Sequence, residues 1–172
     1  MRKATSVIFK GFHFSWPPYI ERVEELNYEI TFNESCIYDH GDIDQWDWNK
    51  LIGVKKNFFS PRKNSFMVGW RWNKEKDRLE LTNYSHDENG EVFFNDKGIF
   101  YISRSELKDP VVISLEILNY KWVRLVMQSK NHKSDDLFQR GIKSYKGWLI
   151  RNWYGGTKAA PHKITINYNK IK

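Results

Sequence analysis

The sequence predicts an all-β fold: an antiparallel two-sheet β-sandwich of the jelly-roll, concanavalin A-like kind, with one or two short helices. Short segments alternate apolar and polar residues, the period of a strand with one face turned inward. Turn-forming residues punctuate them at the regular spacing of antiparallel sandwiches and barrels. Aromatic residues make up 16% of the chain, and such rings favour half-buried pleated surfaces. A closed up-and-down barrel is the alternative architecture.

Taken in order, residues 5–14 read as a strand, with Val7 and Phe9 on one face and Ile8 and Lys10 on the other. Pro17-Pro18 ends it. Residues 19–26 carry a short helical pattern with Glu21, Glu24 and Glu25 outward. A strand comes next over 28–32, with Tyr28, Ile30 and Phe32 on one face, and 36–38 continue the sheet. Gly41-Asp42 opens a second short helix over 43–51, stopped by Gly53. The clearest strand spans 66–73. There Phe66, Val68, Trp70 and Trp72 share one face, and Met67, Gly69, Arg71 and Asn73 share the other. That parity predicts Trp70 and Trp72 as core. The chain returns over 78–85, then turns at Asn89-Gly90, a pair suited to the positive φ angles of a type I′ hairpin. Strands over 91–94 and 99–103 flank a turn at 95–98. Another hairpin joins 111–118 to 121–127. Within the polar stretch 129–146, Ser134 is placed to cap one helical turn over 135–139. Strands over 147–153 and 163–168 complete the sheets.

With 172 residues the chain can bury a core without staples, and no shift in composition marks a second domain, so 1–172 reads as one domain. A single cysteine, Cys36, excludes an intrachain disulfide framework and a Cys-based zinc cluster. No apolar run is long enough for a transmembrane helix. The opening Met1-Arg2-Lys3-Ala4 is basic, but Lys10 and His13 interrupt the segment beyond it, so no signal peptide is predicted. That implies a cytoplasmic protein, or a secreted or periplasmic one if a leader has been removed.

The net charge of +7 favours an anionic partner. Arginine offers planar paired donors suited to a carboxylate or sulfate. The polar faces of the predicted strands carry Arg71, Tyr84, His86, Glu116, Arg124 and Arg151, and Trp153 stands beside a turn. Together they form the candidate ligand-binding set. The alternative is a solvated face with cross-strand ion pairs. Sugar rings stack their C–H faces on flat aromatics, which makes Trp46, Trp48 and Trp153, all near turns, the better platforms. Single-stranded nucleic acid uses the same aromatic and basic groups, but no RNA-recognition or zinc-finger pattern accompanies them, so nucleic acid is disfavoured.

The histidines, His13, His40, His86, His132 and His162, are dispersed, and the stretch Asp39–Asp44 lacks the calcium-loop register. No metal site and no cofactor are predicted. There is no GxSxG and no phosphate loop, and Cys36 in a strand reads as inert. No carboxylate pair for glycoside hydrolysis is identifiable. The functional expectation is a non-catalytic carbohydrate-binding module for an extended, acidic glycan. One alternative is a polysaccharide lyase or glycoside hydrolase on the same scaffold. Another is a structural or protein-interaction domain.

Two resemblances add to this reading. Arg104-Ser105-Glu106-Leu107 resembles the Arg-Ser-Glu-Leu strand motif of jelly-roll alginate lyases, which implies an arginine that helps neutralise a substrate carboxylate. That family's Gln-Ile-His is missing, and Trp153-Tyr154-Gly155-Gly156 departs from its Tyr-x-Lys-Ala-Gly element. More of the chain is similar to a set of small uncharacterised bacterial proteins. The similarity runs through Asp47-Trp48-Asn49-Lys50-Leu51 with Gly53, Asn64-Ser65, Gly69-Trp70-Arg71-Trp72, Tyr154-Gly155-Gly156 and Ala160-Pro161-His162-Lys163-Ile164. It implies a compact jelly roll and no particular activity.

Overall fold

The computed structural model describes residues 2–16, 21–23, 25–56, 62–94, 98–118, 122–139 and 147–171. Its strands are β1 (Arg2–Ile8), β2 (Ser15–Trp16), β3 (Arg22–Val23), β4 (Glu25–Thr31), β5 (Asn49–Lys55), β6 (Ser65–Asn73) and β7 (Arg78–His86). They continue as β8 (Val92–Phe94), β9 (Phe100–Ser103), β10 (Val111–Ile117), β11 (Trp122–Gln128), β12 (Lys133–Gln139), β13 (Gly147–Trp153) and β14 (Ile164–Lys170). The first sheet runs β12-β11-β10-β4-β14-β1-β2, and the second runs β3-β13-β5-β6-β7-β8, with β9 also on β7. The strand pairs are antiparallel, and the architecture is the predicted jelly-roll sandwich. Among the described residues the helical segments are short 3-10 turns, and no helix is long and apolar enough to cross a membrane.

Alternation builds the core. Leu26, Tyr28 and Ile30 of β4 meet Val111, Ile113 and Leu115 of β10 in register, and all are buried. From the second sheet come Phe66, Val68, Trp70 and Trp72, with Leu79 and Leu81 of β7 opposite the two tryptophans. Each such side chain contributes about 1.5–3 kcal/mol by leaving water. Trp70 and Trp72 are core, as their parity predicts. The Tyr168 hydroxyl donates to the Leu51 carbonyl at 3.0 Å, tying the first sheet to the second.

Several expected elements differ. The first strand stops at Ile8, where Phe12 N–H donates to the Phe9 carbonyl and turns the chain; the alternation beyond it belongs to exposed aromatics. The helix expected over 19–26 is replaced, where described, by β3 and the start of β4, because pairing of β3 with β13 and of β4 with β10 outweighs a weak helical pattern. Tyr19, Ile20 and Glu24 lie outside the described residues. The segment 36–38 leaves the sheet through a 3-10 turn, Glu34–Cys36, capped by the Asn33 side chain. Of the helix expected over 43–51 only Ile43–Trp46 is helical; Asp47 is extended and β5 begins at Asn49. The turn expected over 135–139 is β12, in register with β11. The Asn89-Gly90 turn does join β7 to β8, but not as a two-residue type I′ hairpin. The Asp87 carboxylate accepts from Asn89, Gly90 and Glu91 N–H, and only Gly90 of the pair has positive φ. The turns expected at 119–120 and 95–97 lie outside the described residues.

Candidate functional site

The outward face of the second sheet is partly roofed. A Cβ on Gly69 would lie 3.3 Å from Tyr84 Cβ and 3.4 Å from Trp48, so the missing side chain lets Trp48 and Tyr84 close over β6. Trp48 is held there because Gly155 packs against its carbonyl, and Asn49 Oδ1 accepts from Gly155 N–H at 2.7 Å.

Beside this roof opens a cavity of about 550 Å³ lined by Lys50, Arg62, Tyr84, His86, Trp153 and Gly155-Gly156, with Val92, Ile150 and Gly90 completing the wall. Cross-strand register assembles it. Lys50 faces Trp153 on one side and Gly69 on the other, and Tyr84 stands opposite Met67. A register shift between Lys50 and Ile52 turns Lys50 outward while Ile52 and Val54 stay in the core.

Lys50 Nζ lies 4.7 Å from the centre of the Tyr84 ring and donates to the Trp48 carbonyl at 3.2 Å. Burial lowers the lysine's pKa, Asp47 opposes that, and Arg62 adds to the lowering. Burial pushes the Tyr84 phenol up, with Asp47 acting in the same direction and Arg62 against it. Burial, then Lys50 and Arg62, lowers the His86 imidazole, which is therefore neutral near pH 7. His86 Nδ1 sits 3.1 Å from Ser65 Oγ, leaving Nε2 as the remaining ring nitrogen. The cavity thus combines two cationic side chains, a neutral imidazole and a protonated phenol, and no carboxylate lines it among the described residues. Such a set can bind an anion, accept a proton and donate one.

Tyr84, His86 and Trp153 of the predicted set meet here. Arg71 is on the same face but bound internally. Its Nε donates to Glu80 Oε2 at 2.9 Å, its Nη1 to the Trp46 carbonyl at 3.0 Å, and its guanidinium lies 4.2 Å from the Trp48 ring centre. Trp48 is buried and Trp46 half-buried, and both pack on Arg71. Glu116 and Arg124 are cross-strand partners on the first sheet, away from the cavity, and Arg124 makes a paired contact with Asp135 at 2.8 and 2.7 Å. Arg151 pairs with Ile52 through β13, and its side chain lies outside the described set.

Lys50 and Arg62 were missing from the predicted set. Lys50 fell on an expected helix, although the Trp48-Asn49-Lys50 run of the second resemblance carried it. Arg104 lies in a 3-10 turn, paired with Asp77 at 3.4 Å and Glu34 at 3.5 Å, rather than on a strand of this site. In the acidic stretch, Asp39 accepts from Gly41 N–H and Lys74, and Asp44 from Thr157 and Lys158 N–H, so both carboxylates serve the loop itself.

No protein-family profile matches the chain, and no curated protein matches it. Solved structures do resemble it. Alginate lyase Aly36B aligns over 98% of this chain and 78% of its own, with a TM-score of 0.57 and 12% identity. A double mutant of that enzyme in complex with an alginate trisaccharide aligns over 98% and 81%, with a TM-score of 0.54 and 12% identity. A family 16 glycoside hydrolase from the Bacteroides ovatus mixed-linkage glucan locus, in complex with G4G4G3G product, aligns over 95% and 77%, with a TM-score of 0.49 and 9% identity. At such identities the lyase likeness is one of fold, and it agrees with the jelly-roll architecture.

Proposed function

We propose that the chain binds a uronate polysaccharide in the Lys50–Tyr84 cavity and cleaves it by β-elimination. One observation carries the reading: Lys50, Arg62, Tyr84 and His86 converge where no described carboxylate lines the wall. Glycoside hydrolysis commonly needs two carboxyl groups flanking the bond, so the lining disfavours it. The alginate trisaccharide held by a structure of the same fold supports a uronate as the ligand.

In this scheme Lys50 and Arg62 face the sugar carboxylate and offset the charge that builds on it as the adjacent C5–H bond breaks. Neutral His86 accepts that proton through Nε2. The C–H electrons form the C4–C5 double bond, the C4–O4 bond breaks, and the departing oxygen takes a proton from the Tyr84 hydroxyl. Trp153 stacks on a neighbouring sugar.

The test is a screen of uronate polymers for ultraviolet absorbance of unsaturated ends, with a glycan array run alongside. New absorbance with the wild type, lost by at least about a hundred-fold in Tyr84→Phe, supports the assignment. Binding without unsaturated ends would make the chain a non-catalytic binding module. Neither binding nor cleavage would remove the glycan.

A further inference from the structure

We infer that Phe12, Phe14 and Trp153 form an outer subsite that stacks against the sugars of a glycan chain as it leaves the cavity. The inference rests on the glycan reading above and concerns a surface outside the reacting groups. Trp153 lines the cavity, and its ring is 6.3 Å from that of Phe14, which is in turn 5.6 Å from that of Phe12. The three are 39%, 54% and 49% exposed. Single exposed apolar residues are ordinary, but a row of rings that begins at a cavity wall is not.

The row is held in place by the backbone. Phe14 forms a β-bridge with Trp153. Gly11 N–H donates to the Ala160 carbonyl at 2.9 Å, Ala160 N–H to the Phe12 carbonyl at 3.1 Å, and Tyr154 N–H to the His13 carbonyl at 2.6 Å. The sequence thus fixes these aromatics outward instead of folding them in. A preorganised surface loses little freedom when a ligand arrives.

The shape selects the occupant. Successive ring planes turn by 81° and 52°, so the row offers no flat patch to a second copy of the chain. It suits a threadlike ligand whose own rings change facing along its length. The three rings present apolar faces, so the row reads the C–H faces of sugars, while Lys50 and Arg62 read the carboxylate.

The test is calorimetric titration of uronate oligosaccharides of increasing length into the protein and into Phe12→Ala/Phe14→Ala, both carrying Tyr84→Phe so that the ligand is not cleaved, at low and high salt. Short oligomers that fill only the cavity should bind both proteins equally. Longer ones should bind the variant about ten-fold more weakly, the scale expected from losing two half-exposed aromatic contacts. That deficit should persist at high salt, whereas cavity binding weakens. Phe14→Tyr should retain long-oligomer affinity. Phe12→Ser and Phe14→Ser, tested singly, serve if the double variant does not fold.

Equal loss at every length, or no loss at the longest, overturns the subsite and leaves the cavity reading intact. A fall in sedimenting mass on removing the rings overturns it in favour of a second copy. A protein with both rings intact that binds no uronate oligosaccharide at any length refutes the cavity reading and the subsite with it.

Discussion

Replacing Glu80 with alanine should destabilise the fold by about 3 kcal/mol without acting through the ligand site. The carboxylate is 1% exposed and accepts from Arg71 Nε at 2.9 Å, Asn73 Nδ2 at 2.9 Å and Arg78 Nη2 at 2.7 Å. Its loss leaves two guanidinium groups close together with no counter-charge. Deleting one partner of a buried pair costs about 3–5 kcal/mol. The Arg71 and Arg78 side chains stay 17% and 23% exposed, and that contact with water places the cost near the lower end. For a chain of this size the melting temperature should fall by about 6–12 °C.

The pH dependence has a defined sign. Burial alone would raise the Glu80 carboxyl, but hydrogen bonds from Arg78, Arg71 and Asn73 outweigh it and hold the group below its usual 4.5. The stability it contributes is full above pH 4.5 and is lost as the pH falls through the lower folded-state value. The gap in melting temperature between wild type and Glu80→Ala should therefore narrow in acid. Arg71→Lys should also lose stability, about 1–2 kcal/mol, with glycan affinity unchanged. Thermal unfolding monitored by tryptophan fluorescence reads both effects. A cost below about 1 kcal/mol for Glu80→Ala would mean an exposed, weakly coupled pair and would refute the reasoning.

Three further expectations concern other parts of the molecule. His86 titrates below its usual 6.5 when folded, so its contribution is full above pH 6.5 and is lost as the pH falls through the depressed value; His86→Gln should flatten the decline in melting temperature as the pH falls below 6.5, and an unchanged slope would contradict it. At Gly53 a Cβ would lie 2.5 Å from Met67 Cα and against the Phe66 carbonyl, so Gly53→Ala should cost about 3 kcal/mol or prevent folding, and wild-type denaturant stability would refute the packing. Burial pushes the Cys36 thiol up to about 12, so a thiol reagent should label it only after unfolding, and rapid labelling of native protein at pH 8 would show it exposed.

Much of the sandwich was legible because strand parity is a local signal. Phe66, Val68, Trp70 and Trp72 alternate strictly, and the same parity set Tyr84 and His86 on the outward face. The cavity was harder to read. Lys50 reaches it through a register shift in β5, and a shift of one residue reverses every later side chain. Arg71 has the parity and chemistry of a ligand residue, yet its donors go to Glu80 and Trp46, a pairing that only cross-strand register and the fold of the 43–46 turn reveal. The segments Asp47–Leu51, Gly69–Trp72 and Tyr154–Gly156 are separated in sequence, and only the sheet register brings them together around Trp48.

The proposed elimination in the Lys50–Tyr84 cavity fixes the masses of its products. The most direct test is mass spectrometry of the fragments released from a uronate oligosaccharide of defined length by the wild type and by Tyr84→Phe. Elimination adds no water, so each pair of wild-type fragments should sum to the mass of the parent, with one member carrying an unsaturated end; Tyr84→Phe should leave the parent intact. Fragment pairs heavier than the parent by one water would show hydrolysis, and an intact parent with the wild type on every uronate polymer tried would show no cleavage; either result would contradict the account.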